Sequence, residues 1–183
     1  VTCVAGIAER GAVYLGGDAI AVAGYSMHTR DLPKVFTLGP FVIGCANSFR
    51  AADVVRYKFA PPTPQPKDDL HCYMATTFVD ALRETYKAHG VAVIENSAEE
   101  VPCEMLVGVR GTLFTVEDDF QVGVPRGGIA AVGCGGDVAL GALYALGKRG
   151  TPKSRLTTAL HAAEAFCAGV RAPFSYVTLR RPR

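Results

Sequence analysis

Missing from this chain are the spacings that organise metal and disulfide sites. Its six cysteines, Cys3, Cys45, Cys72, Cys103, Cys134 and Cys167, include no CxxC pair. Neither a zinc-ligand pattern nor a disulfide framework follows, and free thiols in a reducing cytosol are the expectation. A charge excess is missing too. Nineteen Lys+Arg against 17 Asp+Glu leave a net +2 at pH 7, too weak a field to draw the chain to nucleic acid or an anionic membrane. No basic segment leads into an apolar stretch at the N-terminus. The least polar later run, IAAVGCGGDVALGALYALG, carries Asp137 and many glycines, which a spanning helix disfavours. Neither a secretion signal nor a membrane span is expected, and no internal repeat or linker divides the chain.

What is present is core-forming material: 49% hydrophobic and 20% charged residues over a length of 183, which suits one domain spanning 1–183. TCVAGIA and AVYLGGD are β-type runs joined by ERG, and KVFTLG and PFVIGCA form a second pair around Gly39-Pro40; both read as hairpins, because glycine accepts the positive φ a tight turn needs. AGYSMHTRDLP between them reads as irregular, so four strands come first. SFRAADVVRYKFA is a helix capped by Ser48 and stopped by the prolines of APPTPQPK. In the next helix Leu70, Tyr73, Met74, Phe78, Leu82 and Tyr86 recur at three- and four-residue intervals, and Gly90 closes it.

EMLVGVRG and TLFTVEDD repeat the hairpin signal through Arg110-Gly111, and IAAVGCG is short enough for a buried strand. Two alanine- and leucine-rich helices follow, in GGDVALGALYALGKRG and SRLTTALHAAEAFCAG, and FSYVTLRR alternates as a last strand. Strands, two helices, strands, two helices, strand is an order that buries its apolar faces when two sheets pack together with helices outside.

The chemistry turns on Thr2. Either it begins an ordinary edge strand, or it becomes the N-terminal residue. In the second case its hydroxyl is the nucleophile and its own α-amine, with a reference pKa of about 7.7–8.0, is the base. Such a site needs a cation beside the amine and a carboxylate to hold that cation. Lys34, opening the strand at LPKVF, and Asp18, ending the strand paired with that of Thr2, are the candidates. Singly, each motif has an ordinary structural reading: GGD as a turn, the lysine as a solvated strand start.

TCVAG, GGD, the lysine of PKVF, VIGCA followed by an AAD helix, and AVGCGGDVALGALYAL come in the order seen in proteasome β-subunits and bacterial HslV-type peptidases. The chain resembles these N-terminal-nucleophile hydrolases through nearly its whole length. Asp18 and Lys34 stand sixteen and thirty-two residues after Thr2, the family's separations from its catalytic threonine; counting from Cys3 breaks both. The resemblance implies an α+β fold, a four-layer αββα sandwich. It also implies a threonine peptidase with Thr2 as nucleophile, Lys34 as the cation that tunes the amine, and Asp18 as its orienting partner. No cofactor or metal is implied. Peptide or unfolded protein is the implied substrate, a homo-oligomeric ring the implied assembly, and an ATP-dependent unfoldase the implied partner. Gly24 matches a glycine after the family's substrate-binding strand, with a plain turn glycine as the competing reading.

Three departures stand out. Cys134 occupies the place of a serine whose hydroxyl bonds near the amine, so a thiol replaces a stronger partner; a small buried residue at a glycine turn is the alternative. The glycine-rich turn before the AAD helix is ANSFRAAD here, which leaves a backbone N–H at Ser48 or Phe49 to hold an oxyanion. By resemblance Ala21, Phe36, Ala46 and Arg50 line an apolar pocket with a cation at its rim, against core packing and, for Arg50, a solvated helix face. Val1 is the third departure: if retained, it acylates the amine of Thr2 and silences the site. An inactive assembly subunit and a small-molecule amidohydrolase on the same fold are the rival functions.

Overall fold

The computed structural model describes residues 2–95 and 98–181. Val1, on which the acylation question rests, lies outside them. Two sheets carry the architecture. The first has the order β12-β1-β2-β13, from Ile129–Val132, Val4–Glu9, Ala12–Gly17 and Ser175–Arg180. The second has the order β11-β10-β9-β6-β5, from Val122–Gly123, Thr112–Val116, Met105–Val109, Phe41–Cys45 and Val35–Leu38. All pairings are antiparallel.

The β1–β2 and β9–β10 hairpins turn on the same dipeptide. Arg10 and Gly11 have φ of 52° and 73°, and Arg110 and Gly111 have φ of 49° and 81°, the two consecutive positive values of a turn whose twist matches the flanking strands. The turns also abut: a Cβ on Gly111 would lie 2.9 Å from the Gly11 backbone. The ends of the two sheets are thereby brought into register.

Three cores separate these elements. Val4, Val13 and Leu15 of the first sheet meet Val35, Val42, Leu106 and Leu113 of the second. The alternate residues Cys3, Ala5 and Ile7 point the other way, onto Ala139 and Leu143 of α4 (Gly136–Leu146) and Leu156, Ala159, Leu160 and Ala163 of α5 (Pro152–Phe166). On the far side of the second sheet, Phe41, Ile43 and Val107 pack against α1 (Phe49–Tyr57) and the long helix. That helix runs as α2 (Leu70–Tyr73), a π turn over Met74–Phe78, and α3 (Val79–Ala88). The wider turn rephases the apolar stripe, so that Tyr73, Met74, Phe78, Leu82 and Tyr86 all stay buried. Each fully buried leucine in these cores is worth about 1.5–3 kcal/mol over an exposed one.

Six strands, not four, precede the first helix. The segment expected to be irregular is a hairpin of β3 (Ile20–Ala23) and β4 (Ser26–Thr29). All of β4 is exposed, so no buried face imposed the period-two pattern by which a strand is read. Short strands β7 (Val93–Glu95) and β8 (Ala98–Glu100) also escaped the reading. Among the described residues, no helix is long and apolar enough to cross a membrane.

Candidate functional site

The site is built where the two sheets begin. Pairing of β1 with β2 sets Val4 opposite Gly17, which carries the next residue, Asp18, beneath the start of β1. There Asp18 N–H donates to Cys3 O at 3.2 Å, and Cys3 N–H donates back to Asp18 Oδ1 at 2.8 Å. Ile20 N–H donates to Oδ2 at 3.1 Å. From the second sheet, Lys34 reaches across with Nζ 2.9 and 3.0 Å from the two carboxylate oxygens. The Lys34 and Asp18 side chains are 4% and 0% exposed. A buried pair survives only when its remaining polar valences are met, and here two backbone N–H groups meet those of the carboxylate.

Thr2 is 2% exposed and lines a small pocket together with Lys34. Its backbone is clamped by the turn after β12, because Val132 pairs with Val4 and the chain must reverse at Gly133-Cys134-Gly135. Gly133 has φ of +87°, and a Cβ there would fall 2.5 Å from Thr2 O, so only glycine permits this approach. Gly135 N–H donates to Thr2 O at 3.2 Å. Thr2 N donates to Cys134 Sγ at 3.2 Å, and the Cys134 thiol lies 3.4 Å from Thr2 O. Glu104 secures the turn from the second sheet by accepting from Gly133 N–H at 3.0 Å.

Electrostatics separate the two adjacent candidates for nucleophile. Burial, then the neighbouring Asp18 carboxylate, pushes the Cys3 thiol up to about 12; at neutral pH it stays protonated and unreactive. Burial lowers the pKa of Lys34, with Asp18 opposing. A lysine held this way releases its proton more readily than one in water.

Of the pocket residues expected by resemblance, Ala46, Ser48 and Phe49 join Thr2 and Lys34 in the lining. Ser48 caps α1, its Oγ accepting from Ala51 N–H at 3.1 Å, while its own N–H donates to Ala46 O at 3.1 Å. Ala21, Gly24, Phe36 and Arg50 do not line it. Phe36 points into the helix-side core of the second sheet, because Val35 takes the face between the sheets and successive strand residues alternate. Arg50 is exposed and reaches His89 O at 3.4 Å, the solvated-face reading. Gly24, with φ of +58° and open space around it, turns the β3–β4 hairpin, and Ala21 sits within β3.

Arg30, Asp53 and Arg56 line the pocket and went unrecognised in the sequence. The Arg30 guanidinium lies 4.2 Å from the Phe49 ring centroid, and Arg56 4.0 Å from that of Phe36. Phe49, Ala52, Asp53 and Arg56 follow helical spacing on one face of α1, a signal the sequence held. Nothing local marks Arg30.

No protein-family model matches the chain, and no curated protein sequence matches it. Solved structures do. The chain is similar to Thiobacillus denitrificans BPH at 18% identity, with a TM-score of 0.82 over 99% of each chain. It is similar to the same protein in complex with epoxomicin at 17% identity and a TM-score of 0.81, covering all of both chains. Eukaryotic HslV from Trypanosoma brucei aligns at 17% identity and a TM-score of 0.72, over 98% of this chain and 99% of that one. The fold is therefore the HslV type.

Proposed function

We propose that this protein is a threonine peptidase of the HslV and proteasome β kind, one domain over 1–183 with a four-layer αββα arrangement. The observation that carries the reading is the convergence of Thr2, Lys34 and Asp18, three residues from separate strand ends, at one buried point that opens into a pocket. A threonine that merely starts a strand needs neither a buried ammonium nor a carboxylate held by four hydrogen-bond contacts.

With residue 1 removed, the α-amine of Thr2 takes the Oγ proton as Oγ attacks a peptide carbonyl, and then delivers it to the leaving nitrogen. Lys34 holds positive charge beside the reacting groups, which favours the neutral amine and the developing alkoxide. Asp18 positions Lys34. A backbone N–H at Ser48 or Phe49 receives the oxyanion, the former exchanging its bond to Ala46 O. Cys134 takes the part of a weak polar partner to the amine, and water releases the acyl group from Thr2. No metal or organic cofactor enters these steps. The relative solved with epoxomicin suggests the probe. By the same reading the chain assembles into a homo-oligomeric ring, takes peptide or unfolded protein as substrate, and is fed by an ATP-dependent unfoldase.

Mass spectrometry of the N-terminus after exposure to an epoxyketone tests the reading. A covalent adduct on a chain that starts at Thr2, absent in Thr2→Ala, is expected. Val1 retained in every molecule, with no adduct, overturns it in favour of an inactive assembly subunit.

A further inference from the structure

The geometry points to an oxidation site at the mouth of the same turn: we infer that Cys134 and Cys167 are a dithiol that a peroxide converts to an intramolecular disulfide, slowing the chemistry of Thr2. Cys167 Sγ lies 3.4 Å from Cys134 Sγ. Cys167 is delivered by the C-terminus of α5, where its N–H donates to Ala163 O at 2.8 Å, and Cys134 by the turn after β12. The pair is thirty-three residues apart in sequence and in contact in space. A disulfide needs the sulfurs at about 2.05 Å, an approach of about 1.4 Å. The backbone of the turn is held by the Gly133 and Gly135 hydrogen bonds, so rotation of the two cysteine side chains about their Cα–Cβ bonds supplies that shift.

Access separates this pair from the other thiols. Cys134 is exposed and Cys167 half-buried, whereas Cys3, Cys45 and Cys103 are buried. Cys45 lies beside Cys103 and borders the pocket at Thr2, but at 3% and 0% exposure neither presents its sulfur to solvent as Cys134 does. Cys72 is exposed and lies on α2, on the far side of the second sheet from the pair. Oxidation therefore begins at Cys134. Its sulfur attacks one peroxide oxygen, the O–O bond breaks, and one water leaves with formation of the sulfenic acid. The Cys167 sulfur then attacks Cys134 Sγ, the S–O bond breaks, and a second water leaves. Two thiols lose two electrons, and the peroxide is reduced to two waters.

The consequence follows from what the Cys134 sulfur touches. It accepts from Thr2 N at 3.2 Å and its thiol lies 3.4 Å from Thr2 O. The bridge removes that S–H and draws the sulfur toward α5, which weakens the bond between the amine and the Cys134 sulfur. The slowing of Thr2 rests on the threonine-peptidase reading, whereas formation of the bridge does not.

The experiment treats the full-length protein with hydrogen peroxide, blocks remaining thiols, and maps peptides without reduction. A linked Cys134–Cys167 peptide is expected in the wild type, together with a fall in epoxyketone labelling rate of about two- to tenfold, the scale of losing one hydrogen bond between neutral groups. Dithiothreitol restores labelling. In Cys167→Ser, expected to label normally before oxidation, the linked peptide is absent and labelling does not recover after high peroxide, because Cys134 proceeds to the sulfinic acid. A wild-type Cys134 recovered as thiol or sulfinic acid without the linked peptide overturns the site, and a bridge that leaves labelling unchanged overturns its effect. If reduced protein is never labelled, the peptidase reading fails while the linked peptide still decides the bridge.

Discussion

Strand β1 has an ion pair at each of its termini, one fully buried and one half-buried, and the two are built differently. At its start, Asp18 accepts from two backbone N–H groups and from Lys34 Nζ on both oxygens. At its end, Glu9 pairs with Arg155 of α5, whose side chain is 4% exposed and whose Nη1 donates to Gly147 O at 2.8 Å. The second pair is looser: Arg155 Nε is buried without a partner, and the Glu9 side chain keeps 19% exposure with Arg10 at 3.7 Å. Arg155 ties the start of α5 to the C-cap of α4 and to the sheet, a staple between layers. Lys34 joins the two sheets and also lines a pocket that contains Thr2. Cavity size points the other way, since about 870 Å3 opens at the Arg155 end and about 20 Å3 beside Thr2. Room alone does not make a site; the residues that face one another do.

The contrast is most directly tested by Asp18→Ala. It strands a buried ammonium, which costs about 3–5 kcal/mol, read as a drop in the urea midpoint with loss of epoxyketone labelling. Arg155→Met is expected to cost less, about 1–3 kcal/mol, because Glu9 keeps Arg10 and some water. Adding Glu9→Gln recovers part of that loss. Labelling of Thr2 stays intact in both, roughly 24 Å away at about 3.4 Å per strand residue. Equal destabilisation by the two single variants, or loss of labelling in Arg155→Met, would erase the distinction.

A smaller effect distinguishes a working ammonium from a structural one. Because burial lowers the pKa of Lys34, its proton leaves as pH rises at a point below the ordinary lysine range. A profile of kcat/KM against pH is expected to fall on its alkaline side there. Lys34→Arg, which never deprotonates at accessible pH, lowers the rate and removes that limb. The smallest change is expected from Ser48→Ala, which loses the cap of α1 and about 1 kcal/mol of stability, measured by thermal melting. Labelling persists, since a backbone N–H rather than the hydroxyl is assigned to the oxyanion.

The hairpins through Arg10-Gly11 and Arg110-Gly111 were legible because turn chemistry is local, and the helices because their apolar period is. β3–β4 was not, since an exposed hairpin imposes no period. At the site, the separations of Asp18 and Lys34 from Thr2 pointed to the trio through their match to the resembled family, and the likeness of AVGCGGD to that family's serine-bearing loop put Cys134 near the amine. Phe36 and Arg50 were matched to the pocket by position alone, and strand alternation and helix phase carried them elsewhere. Arg30 and Cys167 bore no local mark at all.

Read along the chain, then, the residues prescribe where the strands, turns and helices with a local apolar period or turn signal form, and which residue types are candidates for chemistry. Those are properties of neighbours a few positions apart. That Lys34 reaches Asp18 between sheets, that Glu104 holds the Gly133 turn, and that Cys167 meets Cys134 beside Thr2 follow only from the packing of the three cores. Contacts between distant segments are selected by the burial of whole faces, and no single stretch of sequence contains that information.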